Sequence, residues 1–167
     1  KLETVTLELE RGGAKVIAKT ADVRSLDDIK SLADEAFSEF GQVDVVINNA
    51  GVFTAPKLTW ELEEREWDFH LDINLKGVIH GIRAFMPRII ANGNYAHIVN
   101  IASLAGHVIE PCFAPYHASK FGVVAISESI KHELLLLWGN THISIVKLPV
   151  PIVAVFVKFN SASLPSK

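Results

Sequence analysis

Apolar and polar positions alternate along this chain in two distinct patterns. Four short runs are almost continuously apolar: "AKVIAKT" (14–20), "VDVVINN" (43–49), "AHIVNIA" (96–102) and "HISIVKL" (142–148). Runs of that kind predict strands buried on both faces. The stretches between them follow helical spacing. In "SLDDIKSLADEAFSEFG", Ser25 is placed to cap a helix, Asp28 stands at the capping-box position and Gly41 lies just past the end. A second helix is predicted over about 62–90, where Trp67, Leu71, Leu75, Val78, Ile79, Ile82 and Phe85 fall on one stripe. Pro87 is expected to kink it or begin to end it. A third helix is predicted over 117–138, and the opening "KLETVTLELERGG" reads as a charged helical stretch. Strands alternating with helices predict a parallel sheet joined by right-handed crossovers, hence one doubly wound α/β domain over 1–167.

Composition narrows the field of partners. The chain has 167 residues, 49% of them hydrophobic, which suits one domain with a sizeable core. Its net charge of -3 is spread along the sequence. There is thus no basic stripe for nucleic acid and no polybasic patch for a membrane surface. A small molecule or another protein is the expected partner. A single cysteine, Cys112, excludes an internal disulfide and a cysteine-rich zinc site, and fits a reducing, cytoplasmic setting. The seven histidines lack metal-motif spacing, so solvated or structural roles are expected and no metal is assigned. "LLLLW" (134–138) and "PVPIVAVFV" (149–157) fall well short of the roughly 20 residues of a membrane span. No secretory signal opens the chain; Lys1 begins a helical stretch, which reads as a start inside a domain.

In an open parallel sheet, ligands bind beyond the carboxyl ends of the strands, so polar residues there carry the most information. Asp22 and Val23 follow the first run, Asn48, Asn49, Ala50 and Gly51 close the second, and Ser103 follows the third. Tyr116 and Lys120 then share one face at the start of the third helix. Singly, each has an ordinary structural reading: a turn for Asp22, a hinge for Gly51, a loop hydroxyl for Ser103. Asn74, on the apolar stripe of the second helix, is either a satisfied core amide or a functional group. The Tyr-Lys pair has a chemical rationale. A phenol titrates near pH 10, and a cation about 4 Å away, at an effective dielectric of about 20, stabilises a phenolate by up to roughly 4 kcal/mol.

Taken in order, these residues resemble the short-chain dehydrogenase/reductases. The motifs that carry the likeness are "ADV" (21–23), "NNAG" (48–51), Asn74 in "INLKG", Ser103 in "IVNIAS" and "YHASK" (116–120). The thirteen-residue step from Ser103 to Tyr116 fits the family's spacing, and the likeness runs from residue 1 to about 149. The resemblance implies a Rossmann-like sheet and an NAD- or NADP-dependent oxidoreductase acting on an alcohol/carbonyl pair. It gives Tyr116 the part of general acid/base and Lys120 that of tuning the phenol and holding the cofactor ribose. Ser103 would hydrogen-bond the substrate carbonyl, and Asn74 would support a proton relay. Asp22 and Val23 would meet the adenine, the turn Asn49, Ala50, Gly51 would line the cofactor cleft, and Asn48 and Asn49 would tie neighbouring strands.

Two departures limit what the resemblance implies. The family's opening strand, glycine-rich turn and helix have no counterpart here, since Gly12 and Gly13 precede the first apolar run rather than follow a strand. NAD and NADP are therefore indistinguishable. After the last strand, Val150 stands where the family has glycine and Ala154 near its usual threonine. A fragment with an incomplete cofactor site is the leading expectation. An inactive binding or interaction protein, and an isomerase or lyase on the same scaffold, are the alternatives. The resemblance also implies a homodimer or homotetramer paired through helices 62–90 and 117–138.

Overall fold

The computed structural model describes residues 2–136 and 141–146. Five α-helices and three strands are found there. In chain order they are α1 (Leu2–Arg11), α2 (Leu26–Phe40), β1 (Val45–Asn48), α3 (Glu64–His70), α4 (Gly77–Asn92), β2 (Ala96–Ile101), α5 (Ala114–Leu136) and β3 (Thr141–Val146). The sheet order is β1-β2-β3, and both pairings are parallel. Val46 opposes Ile98, which in turn opposes Ile143. This is the parallel α/β arrangement that the sequence pattern predicts.

The cap and the stop of α2 act as expected, but the capping box stays half formed. The Asp28 carboxylate takes the Asp22 N–H and the Ser25 hydroxyl, while the Ser25 N–H goes to the Asp22 carbonyl. Ser25 accepts a hydrogen bond from the Asp28 N–H, and Gly41 ends the helix at φ 76°. Ile29 and Ala33 of α2 then bury against Val46, Ala96, Ile98, Phe85 and Ile89, so α2 and α4 share one core with β1 and β2. A second cluster joins Val78, Ala102 and Val123 and holds α5 to α4.

Three expectations need correction. The apolar run 14–20 forms no strand, and residues 15–21 make no main-chain hydrogen bond to other described residues. Apolar patterning reports burial, whereas a strand also needs a paired neighbour. Here Val16, Ile17 and Ala21 face Ile47 and Asn48 across an apolar cleft of about 730 Å³. Lys19 instead ties the run to Ser31 and Glu35 of α2. The helix predicted over 62–90 begins at Glu64 behind a reciprocal Glu63/Glu66 capping box, and it contains a π-helical turn at Leu71–Lys76. Pro87 does not end α4, which runs on to Asn92. The residues beyond it hold the helix down: Arg88 pairs with Asp34 at 2.7 Å and Ile89 is buried. Residues 147 and 148, the run 149–157, Trp138, Val150 and Ala154 lie outside the described residues.

Candidate active site

The π-helical turn places Asn74. One extra residue in a helical turn swings a side chain off its usual path, and such turns recur at functional sites. Asn74 is fully buried. Its Oδ1 accepts the Val52 N–H at 2.7 Å, and its Nδ2 donates to the Val52 carbonyl at 3.0 Å and to Ser119 Oγ at 3.1 Å. Both amide hydrogens are thus engaged, and the side chain clamps the loop after β1. Any relay through Asn74 has only the remaining lone pair of its carbonyl to use.

Lys120 reaches the same point from α5. It is 5% exposed, donates to the Ile101 carbonyl at 3.0 Å, and lies 5.8 Å from the centre of the Tyr116 ring. Gly51 lies beside both groups: a Cβ there would stand in ordinary contact, 3.7 Å from Lys120 Nζ and 3.5 Å from Asn74 Oδ1. Burial lowers the Lys120 ammonium from 10.5 to about 8, so it remains mostly charged at neutrality.

That depression has a measurable sign. Between pH 8 and 10.5 the unfolded chain holds the lysine proton and the native chain has lost it, so stability rises with pH across this window. The rise is expected to approach about 3 kcal/mol and to vanish in Lys120→Met. Urea denaturation of both proteins across the window measures it; parallel curves would mean that Lys120 is not desolvated.

Ser103 is 6% exposed and accepts the Ala105 N–H at 3.2 Å. Among the described residues, neither its hydroxyl hydrogen nor the Tyr116 hydroxyl has a protein partner. Tyr116 itself is half-buried, with its ring against Phe53 at 4.9 Å and His70 at 6.4 Å. The Tyr116 hydroxyl, without a partner among the described residues, therefore belongs to a ring whose centre lies 5.8 Å from a buried cation, and Ser103 keeps a hydroxyl hydrogen to donate.

Of the residues expected around the adenine, Val23 lines the cleft and Asp22 lines an adjoining hollow with Arg24, Asp28 and Ala50. Hydrogen bonds from the Arg24 side chain pull the exposed Asp22 carboxyl down to about 2. Its carboxylate is therefore already engaged by a neighbour. The Val23 carbonyl accepts from His80 Nδ1 at 2.8 Å, which fixes this loop to α4. Asn48 does tie strands, donating to Asn100 Oδ1 at 2.8 Å. Asn49 makes no such tie: it is 7% exposed and its Nδ2 has no partner among the described residues. Asn49, Ala50 and Gly51 line the cleft together with Ala21 and Val23.

The orphaned Asn49 amide, the Gly51 backbone lining the cleft and the unused N–H groups of Lys120 fit the nicotinamide and ribose end of a dinucleotide. A phosphate cradle at a strand-to-helix turn rich in glycine is absent among the described residues. Nor do three His, Cys, Asp or Glu side chains group to hold a metal ion among them.

Sequence patterning missed His117. It is 6% exposed; its Nδ1 donates to the Ala105 carbonyl at 2.9 Å and its Nε2 accepts the Glu110 N–H at 3.0 Å. The neutral ring thereby pins the loop between Ser103 and Tyr116 to the first turn of α5. His117→Phe is expected to speed exchange of the Glu110 amide at least tenfold, the equivalent of losing a bond worth about 1.4 kcal/mol. Hydrogen exchange followed by NMR checks this, with Ile98 in β2 as the internal reference.

Comparison with known proteins follows the same outline. The short chain dehydrogenase family matches residues 1–153. The chain is 36% identical over 135 residues to an uncharacterized oxidoreductase of Staphylococcus saprophyticus, covering 81% of this chain and 54% of that protein. It is 37% identical over 134 residues to a 3-oxoacyl-(acyl-carrier-protein) reductase of Staphylococcus aureus, covering 80% and 54%. A Burkholderia phymatum short chain dehydrogenase/reductase solved with NAD superposes with a TM-score of 0.83 at 37% identity, covering 86% of this chain and 51% of that one. A metagenomic short-chain oxidoreductase solved with NADP gives 0.80 at 32% identity, covering 87% and 65%. The chain spans about half the length of the curated relatives it matches.

Proposed function

Because the chain belongs to the short-chain dehydrogenase family, we propose that it carries the catalytic half of an NAD- or NADP-dependent oxidoreductase acting on an alcohol/carbonyl pair. The observation that carries this reading is the meeting of Lys120, Asn74 and Gly51 beside the Tyr116 ring. A bound nicotinamide supplies the hydride chemistry. In the reducing direction the Tyr116 hydroxyl gives its proton to the substrate oxygen while the Ser103 hydroxyl donates a hydrogen bond to the same atom. The Lys120 ammonium favours the negative charge left on the phenol oxygen. Oxidation runs the same proton path backwards. Lys120 and the Asn49, Ala50, Gly51 turn would hold the nicotinamide end of the cofactor, and Asp22 and Val23 would sit at its adenine end.

The test is titration of the folded chain with NADH and NADPH, followed by nicotinamide fluorescence. Saturable binding is the expected result. Absence of binding to either, in a chain shown to be folded, would mean that hydride transfer belongs to a longer chain and that this piece is inactive by itself. Product analysis separates net nicotinamide oxidation from an isomerase or lyase reaction. We also propose self-association through the long helices, since Leu135 and Leu136 at the end of α5 are 68% and 79% exposed. Sedimentation showing a monomer at high concentration would remove that part.

A further inference from the structure

Large apolar side chains are left in water on the segment 104–113 that leads into α5, and on Phe53, whose ring touches Tyr116. Leu104 is 61%, Val108 46% and Ile109 76% exposed, and Phe53 on the opposite segment is 56% exposed. Scattered single apolar residues on a surface need no explanation, but a concentration of them beside one polar group does.

Three contacts bring the two segments together. The Lys57 N–H donates to the Cys112 carbonyl at 3.0 Å. The rings of Phe53 and Phe113 stack with centres 5.0 Å apart, and the edge contact of Phe53 with Tyr116 joins that stack to the candidate catalytic phenol. The His117 bonds to Ala105 and Glu110 fix the other wall.

Charge on these walls is sparse and unsuited to an anion. In 53–62 and 104–113, Lys57 is the sole lysine or arginine, and it is taken by Glu66 at 2.8 Å. Glu61 and Glu110 add negative charge. A carboxylate or phosphate placed against these walls finds no lysine or arginine free on them. A planar apolar ring would instead lie against the Phe53 and Phe113 pair, an arrangement that aromatic groups favour beyond simple burial.

We propose that the site takes a neutral aryl ketone or the corresponding aryl carbinol, with its ring on Phe53 and Phe113 and its oxygen toward Tyr116 and Ser103. Its conversion as a substrate rests on the oxidoreductase reading above; the binding preference does not. The occupant is a small molecule rather than a protein surface because the Phe53 and Phe113 stack leads to the Tyr116 ring, whose hydroxyl has no partner among the described residues and suits a single carbonyl oxygen.

The experiment measures binding without cofactor, by ligand-observed NMR on the 167-residue chain. The probes are 4-fluoroacetophenone, 4-acetylbenzoate, which adds a carboxylate to the same ring, and 2-butanone, which lacks the ring. The fluorinated ketone is expected to bind at least tenfold more tightly than either other probe. Phe53→Ser and Ile109→Ser change exposed side chains and are each expected to weaken it several-fold, with α-helical content unchanged. Equal or tighter binding of 4-acetylbenzoate overturns the proposal, as does binding that both variants leave unaltered, or binding of none of the probes. A second copy of the chain covering the patch, seen as a dimer that Phe53→Ser dissociates and the ketone does not compete with, overturns it too. If the ketone binds as expected but a chain saturated with NADH and NADPH consumes neither, the hydride-transfer reading fails and the binding preference stands. Turnover confined to charged substrates would instead leave hydride transfer standing and overturn the preference for a neutral aryl ketone.

Discussion

Replacing Tyr116 with phenylalanine is expected to lower turnover by about 10²–10⁴-fold, the range set by losing a positioned acid/base. Little else should change. The Tyr116 hydroxyl makes no hydrogen bond to the described residues, so its removal orphans no partner. The ring contacts with Phe53 and His70 belong to carbon atoms that phenylalanine keeps. Stability should therefore stay within about 0.5 kcal/mol, as for substitutions that disturb no packing or polar network. Cofactor affinity should be largely kept, because Lys120 is held by the Ile101 carbonyl and not by the phenol. The check compares steady-state nicotinamide oxidation, cofactor titration and thermal melting for the two proteins. Near-normal turnover would remove Tyr116 from the acid/base role; a melting point that falls together with turnover would point to packing instead.

The parts of this molecule that could be read from the chain are those whose chemistry is local. The Ser25 cap, its Asp28 partner and the Gly41 stop all act within one helix, and sequence spacing alone determines whether they meet. The tie made by Asn48 was legible through the family resemblance, and Asn100 supplies its partner, whereas the same expectation for Asn49 fails. What could not be read depends on neighbours distant in sequence. The run 14–20 has the apolar character of a strand, yet pairing is a property of two segments, and nothing within the run says whether its neighbour is in place. The π-helical turn was hidden for a related reason: one inserted residue shifts the helical phase but leaves enough apolar positions in step to preserve the stripe. Its one outward sign was Asn74, an amide where the stripe called for a hydrocarbon. His117 left no sign, because its partners are main-chain atoms of Ala105 and Glu110, which any residue would supply.

Gly81→Ala is expected to cost about 3–5 kcal/mol, combining the usual penalty for overpacking with that for an unsatisfied buried amide. The site lies in the middle of α4, where alanine would ordinarily stabilise by about 1 kcal/mol. Here the added carbon falls inside the space of the Asn48 side-chain amide. Asn48 would have to swing away, and it is the first link in a buried polar chain. It donates to Asn100, Asn100 donates to Ser127 Oγ at 2.8 Å, and Ser127 donates to the Val123 carbonyl at 2.7 Å. Asn100 is fully buried and Ser127 is 1% exposed, so water cannot replace the lost partner. A double-mutant cycle isolates this cause from helix propensity. In an Asn48→Ala background the obstruction is gone, and Gly81→Ala should become neutral or mildly stabilising. Urea denaturation of the four proteins gives the coupling energy. A penalty for Gly81→Ala that persists undiminished without the Asn48 amide would place the strain elsewhere in α4, and the close approach of this helix to β1 would then need another explanation.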